Sequence, residues 1–355
     1  MNYSNQTEYL IDENLFHRIG STWTLDTIYV VIIAPLGFIG VIFNLICFWT
    51  LLQIKIKRKE INLYKYLKVY SLAGLASSLI VGLAFMTYSP RYFKDFLDPV
   101  VKFYRCRIIG SSMVCLFFYI NLLDILISLD RMVIFTNKLT GLRFIRPYSF
   151  SIFLLIVCFL INSPIFLTYE ISSNHVFLTT NVMNHCGLTE FGKSRLGIIS
   201  NVIVILIRDV LTFILEIITS IFVLYFYRTY KNNSILLNNI LRFDIKKKNS
   251  NKMPKISDVR SQINKRKEIY KKLLLMTFVL SVLSIITHFL AAIVYAFTLK
   301  LIAGNIFLHF SFVCLGIFCF SLKNFLNLFI FYIFNSNFRK KIRTFFSYKL
   351  VVTRT

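Results

Sequence analysis

Seven long apolar stretches, separated by charged or turn-forming residues, constrain this chain more than any other feature. They run from Ile28 to Leu52, Tyr64 to Tyr88, Ile108 to Phe135, Tyr148 to Tyr169, Leu196 to Tyr227, Lys271 to Phe297 and Leu301 to Phe334. A helix rises 1.5 Å per residue, so crossing roughly 30 Å of hydrocarbon takes about 20 apolar residues. A transmembrane barrel would show alternating segments about half as long. The expected fold is therefore all-α, a seven-transmembrane helix bundle. Composition agrees: 16% of the residues are charged, against about a quarter in a soluble domain. Lipid must serve as the solvent for much of this chain.

The net charge of +25 would point to nucleic acid if the cations were gathered on one soluble face. They are not. Lys55, Lys57, Arg58 and Lys59 follow the first stretch, and Lys138, Arg143 and Arg146 follow the third. Lys246, Lys247, Lys248, Lys265, Arg266 and Lys267 follow the fifth, and Arg339, Lys340, Lys341 and Arg343 follow the seventh. These alternate loops share one side, which the positive-inside rule makes cytoplasmic. A nucleic-acid partner is excluded by this placement. Seven spans then put the N-terminus outside, in the plasma membrane of a multi-pass protein. Asn2 and Asn5 begin glycosylation sequons in that outer tail. No basic start leads into a short apolar core, so the first span is expected to act as its own insertion signal. The chain thus divides into an extracellular tail (1–27), the bundle (28–334) and a cytoplasmic amphipathic helix and tail (335–355). In that last segment Phe338, Ile342, Phe345 and Phe346 recur at helical spacing beside the cations, which suits a helix lying at a lipid interface.

Spacing within the stretches carries a family resemblance. Cys106 opens the third stretch and Asp130-Arg131 closes it, with 25 residues from the cysteine to the arginine, about 37 Å of helix. At the end of the seventh stretch stand Asn327-Leu328-Phe329-Ile330-Phe331 and, further on, Phe338-Arg339. Gly40 and Asn44 lie in the first. Together these resemble the rhodopsin-like G-protein-coupled receptors, whose third helix runs from a cysteine to Asp-Arg-Tyr and whose seventh ends in Asn-Pro-x-x-Tyr. The departures are as specific as the matches. Met132 replaces the tyrosine, Leu328 the proline and Phe331 the second tyrosine. The family's second-span aspartate is missing near Ala76, as are the tryptophan of the fourth span, the proline of the fifth and the Cys-Trp-x-Pro of the sixth. The pattern is that of a divergent member, similar to invertebrate neuropeptide-type or chemosensory receptors.

The resemblance implies roles for individual residues. Asp130 and Arg131, with Asn327 and Phe331, would form the switch that couples the bundle to a heterotrimeric G protein. Cys106 and Cys186, the two cysteines expected outside, would pair in an oxidising exterior; two free thiols are the alternative. Met113 stands where amine receptors carry an aspartate, which disfavours an amine ligand. Ser321 stands where opsins carry their retinal lysine, and Lys323 is two residues out of place, which disfavours a Schiff base.

Ionisable residues inside spans are costly and by default functional. Asp124 and Lys323 are two such charges, able to form an interhelical pair in place of the missing aspartate. Asn44 is a third buried polar position. Asp209 and His288, with Met113, are the candidate ligand-pocket residues, a local or interhelical salt bridge being the alternative for Asp209. Glu216 lies two turns deeper. No zinc spacing, phosphate loop or catalytic triad is visible, so neither enzyme activity, metal nor cofactor is expected. The expected function is to transduce binding of an extracellular ligand, a neuropeptide or other non-amine molecule, to a G protein. The competing readings are a chemosensory receptor of the same fold and a transporter or channel. Transporters commonly show paired repeats and broken helices, which this sequence lacks. Membrane lipid is the remaining partner.

Overall fold

The computed structural model describes residues 28–54, 61–87, 110–136, 146–171, 186–225, 275–290 and 306–352, with Ile108, Arg228, Glu268 and Lys272 beside them. Helix α1 (Ala34–Gln53) follows a π-helical turn at Ile28–Ile33, and α2 (Ile61–Thr87), α3 (Gly110–Thr136) and α4 (Pro147–Thr168) come next. Helix α5 is one helical run from Arg195 to residue 225, with a π-helical segment at Leu206–Leu211. Helix α6 covers Leu275–Leu290, α7 Ile306–Phe334 and α8 Ser336–Val352. Five of these helices are each long and apolar enough to cross a membrane: Val31–Gln53, Asn62–Phe85, Gly110–Asp130, Pro147–Thr168 and Leu315–Phe334. The other two of the seven expected spans stand differently. The fifth is interrupted by its π-helical segment, and the sixth is described over Leu275–Leu290, a shorter apolar helix.

The partition of side chains is that of a bundle in lipid. Leu160, Leu196, Ile152 and Ile221 point outward and are well exposed, whereas Ser77, Asn121, Asp124, Asn162 and Ser284 are buried. Water would favour the reverse. In hydrocarbon the polar groups must find partners inside the protein, and the apolar ones need none.

Small residues set how closely the helices approach. A Cβ on Gly37 would sit 2.7 Å from the backbone nitrogen of Gly82, and one on Gly74 would sit 2.7 Å from Oδ1 of Asn44. Glycine at Gly37 lets α1 and α2 pack backbone to backbone, and at Gly74 it makes room for the Asn44 side chain, as membrane helices do where area burial gives no drive. Replacing Gly37 with leucine is expected to force the two helices apart. Overpacking of this kind costs about 1–3 kcal/mol, so the thermal midpoint of the detergent-solubilised protein should fall clearly below wild type.

The bundle is helical, but the segment after α4 contains a short ladder that the sequence did not suggest. Strands β1 (Tyr169–Ile171) and β2 (Cys186–Leu188) pair antiparallel, with Ile171 opposite Cys186. Thr189 then caps a single helical turn (Glu190–Lys193) by accepting from the Gly192 amide at 3.0 Å. Ser194 caps α5 in the same way through Gly197.

At the other end α7 hands over to α8 at Asn335. Its Oδ1 accepts from the Phe338 amide (3.1 Å) and from the Tyr64 hydroxyl of α2 (3.2 Å), which fixes the angle at which α8 leaves the bundle. Phe338 and Ile342 are buried, and the Phe338 ring meets Phe331 edge to face. The amphipathic helix expected from the sequence is thus anchored by its apolar edge.

Candidate functional site: a buried polar ring across four helices

Helices α3, α5, α6 and α7 each send one or two polar side chains to a common point in the bundle. Lys323 of α7 is completely buried, and its Nζ lies 2.5 Å from Oδ2 of Asp124 on α3. The same ammonium donates to Ser284 Oγ on α6 (2.8 Å) and to Asn121 Oδ1 on α3 (3.2 Å). Its three protons therefore have three acceptors.

The contacts continue around a closed ring. Ser284 donates to Oε1 of Glu216 on α5 at 2.6 Å. Glu216 Oε2 lies 3.0 Å from Nδ1 of His288, one turn along α6 from Ser284. The other nitrogen of His288 meets the side-chain amide of Asn121. The pattern is self-consistent in direction. Asn121 accepts from Lys323 through oxygen and donates to His288 Nε2 through nitrogen, leaving Nδ1–H to donate to Glu216. Every ring member is buried. One carboxylate, Asp124, thus pairs directly with the ammonium, and the other, Glu216, is linked to it through Ser284.

Both polar side chains that α6 contributes, Ser284 and His288, end on Glu216. A movement of α6 away from α5 must break both bonds, together with those to Lys323 and Asn121. Charge-assisted hydrogen bonds of this sort contribute about 1.5–3 kcal/mol each. The ring is therefore a four-helix fastening in which departure of α6 breaks the most contacts.

A second polar cluster lies toward α8. Asn44 Nδ2 donates to the Gly40 carbonyl (2.9 Å) and the Asn324 carbonyl (3.2 Å), tying α1 to α7. Asn327 Nδ2 approaches Asn44 Oδ1 at 3.5 Å. Phe331, one turn beyond Asn327, is fully buried among apolar side chains.

The remaining sequence-derived positions fall as follows. Asp209 sits in the π-helical segment of α5, buried and held bidentately by its neighbour Arg208 at 2.8 and 2.6 Å. That is the salt bridge with a neighbour open to it from sequence. Met113 is half-buried against the cluster of Ile33, Ala34, Val81, Ala84 and Phe85. The structure does not bring Met113, Asp209 and His288 together through any described contact; His288 instead belongs to the ring. Asp130 is half-buried, while the Arg131 side chain lies outside the described residues. So do Cys106, Asn2 and Asn5; Cys186 is described as backbone in β2.

Glu216, Asn121 and Ser284 were not among the site candidates. A carboxylate inside an apolar stretch was the available signal for Glu216. Nothing in the sequence distinguishes Asn121 or Ser284 from the many other small polar residues of the spans. Among the described residues no cluster of three or more His, Cys, Asp or Glu is arranged to hold a metal ion.

No family model and no curated protein sequence matches the chain. Its fold does match: the crystal structure of squid rhodopsin superposes with a TM-score of 0.61 over 92% of this chain and 87% of that one, at 14% identity. The chain has a rhodopsin-like membrane-helix fold.

Proposed function

We propose that this protein is a divergent rhodopsin-like G-protein-coupled receptor of the plasma membrane. In this reading seven spans run with the N-terminus outside and the basic loops inside. The observation that supports this most directly is the fastening of α3, α5, α6 and α7 by a single buried polar ring within a rhodopsin-like fold. A ligand that favours the state in which α6 has left α5 needs only to offset those contacts, because a ligand shifts an equilibrium by its differential affinity for the two states. Movement of α6 would open the basic end of the bundle, where Asp130 and Arg131 lie, to a heterotrimeric G protein. The ligand is an extracellular peptide or another non-amine molecule, since Met113 offers an ammonium group no counter-ion. A Cys106–Cys186 bridge would fasten the β1–β2 ladder to the outer start of α3.

The test is a G-protein dissociation reporter in cultured cells, screened with extracellular peptides and small molecules. Arg131→Ala is measured alongside at matched surface expression. A response that the variant loses supports coupling through the end of α3. A ligand response that Arg131→Ala retains in full removes the role given to that residue.

A further inference from the structure

The geometry points to Glu216 as the recognition point for a guanidinium group, the head of an arginine side chain, carried by the extracellular ligand. The inference rests on the receptor reading above and names the chemical class of its ligand.

Three carboxylates are buried among the described residues: Asp124, Asp209 and Glu216. The chain gives two of them a cation. Lys323 lies 2.5 Å from Asp124, and Arg208 holds Asp209 with two contacts on α5 itself. Among the described residues Glu216 receives neutral groups only. Lys323 donates to Ser284, which turns the Ser284 proton toward Oε1 of Glu216. Asn121 occupies Nε2 of His288, which puts the imidazole proton on Nδ1, facing Oε2. Both oxygens therefore accept, as those of an ionised carboxylate do. The ring thus contains two carboxylates and one ammonium, and the Arg208–Asp209 pair, neutral in itself, adds nothing to the balance. One negative charge is left without a counter-ion inside a membrane bundle, where such charges are costly and mark functional positions.

Two features select a guanidinium. The donors that Glu216 has from α6 are spread over both of its oxygens, one on each. A planar guanidinium fork binds both oxygens of a carboxylate at once and replaces Ser284 and His288 together, whereas an ammonium is a point charge that replaces one. The exchange also has a direction. While α6 is packed against α5 both oxygens are occupied, and once it departs they are vacant. A guanidinium ligand therefore binds the open state better, and a ligand shifts an equilibrium by that difference. In the proposed orientation His288 lies one turn nearer the outer end of α6 than Ser284, so a group entering from outside displaces it first.

The test uses propylguanidinium as the probe on the full-length protein in lipid nanodiscs, with propylammonium and the neutral propylurea as matched controls. Spin labels at Arg146→Cys and Glu268→Cys report the separation of the α6 end from the start of α4 by double electron–electron resonance. A probe held at about ten times its open-state dissociation constant multiplies the open population about tenfold. That growth of the longer distance is expected with propylguanidinium, absent with propylurea and clearly smaller with propylammonium. Glu216→Gln keeps the size of the side chain, removes its charge and is expected to abolish the response. No response to propylguanidinium, an equal response to either control, or a response retained by Glu216→Gln would each overturn the assignment. The comparison among probes needs only the protein with its own Glu216, so it decides the matter even where Glu216→Gln fails to fold. No G protein takes part, so a receptor for another ligand class fails here and still passes the reporter test.

Discussion

Lys323→Met is expected to abolish most of the folded, surface-expressed protein. The substitution removes the one ammonium in a ring that holds two buried carboxylates, Asp124 and Glu216. It also withdraws the donor to Asn121 and Ser284. Breaking a buried pair from one side costs about 3–5 kcal/mol, because the partner is left uncompensated. That is about two to three and a half orders of magnitude in the folded ratio, at roughly 1.4 kcal/mol per tenfold, and it exceeds what surface substitutions do. Removing both partners is a different experiment. Asp124→Leu together with Lys323→Met leaves no charge stranded on that side, and an apolar replacement of a buried pair is often neutral. The double variant is expected to recover much of the lost yield, giving a favourable coupling energy in a double-mutant cycle. Independent, additive losses would mean that the two side chains are stabilised by something other than each other.

Glu216→Ala should act on signalling rather than on yield alone. Both side chains that α6 commits to the ring end on this carboxylate, at 2.6 Å from Ser284 and 3.0 Å from His288. Those bonds exist while α6 is packed against α5 and are absent once it departs. Their loss therefore destabilises the closed state relative to the open one. With each bond contributing about 1.5–3 kcal/mol, the open population grows by at least roughly tenfold. Basal reporter output without ligand is expected to rise in proportion, at matched surface expression, while Ser284→Ala, which removes one of the two bonds, gives a smaller rise. A fall in basal output for Glu216→Ala would place the ring in the active state.

How much of this was legible in the sequence depended on which physical signal a residue leaves behind. The helical stretches were visible because hydrocarbon demands length and apolarity together, and α1 to α4 and α7 coincide with them to within a few residues. The α5 π-helical segment was not, since no proline or glycine marks Leu206–Leu211. The β1–β2 ladder escaped for another reason: three residues per strand are too few to show a period of two. Asp124, Lys323 and Asn44 announced themselves as polar groups in apolar runs, and the folded chain buries all three. Their partners did not. Ser284 and Asn121 matter through which helix faces which, and that information appears only when the helices are packed. Asp209 shows the same limit, since a carboxylate in the outer part of a span reads equally as a ligand contact and as the partner of the arginine beside it.

If the ring holds α6 closed, opening the ring releases it. This release can be measured without ligand or G protein by placing spin labels at Arg146→Cys and Glu268→Cys. Both positions are exposed, one just before α4 and the other seven residues before Leu275, where α6 begins. Distances are read by double electron–electron resonance in lipid nanodiscs. One dominant short distance is expected in the otherwise wild-type protein, with a longer population that grows with Glu216→Ala. Superimposable distributions in the two proteins, both folded, would contradict it.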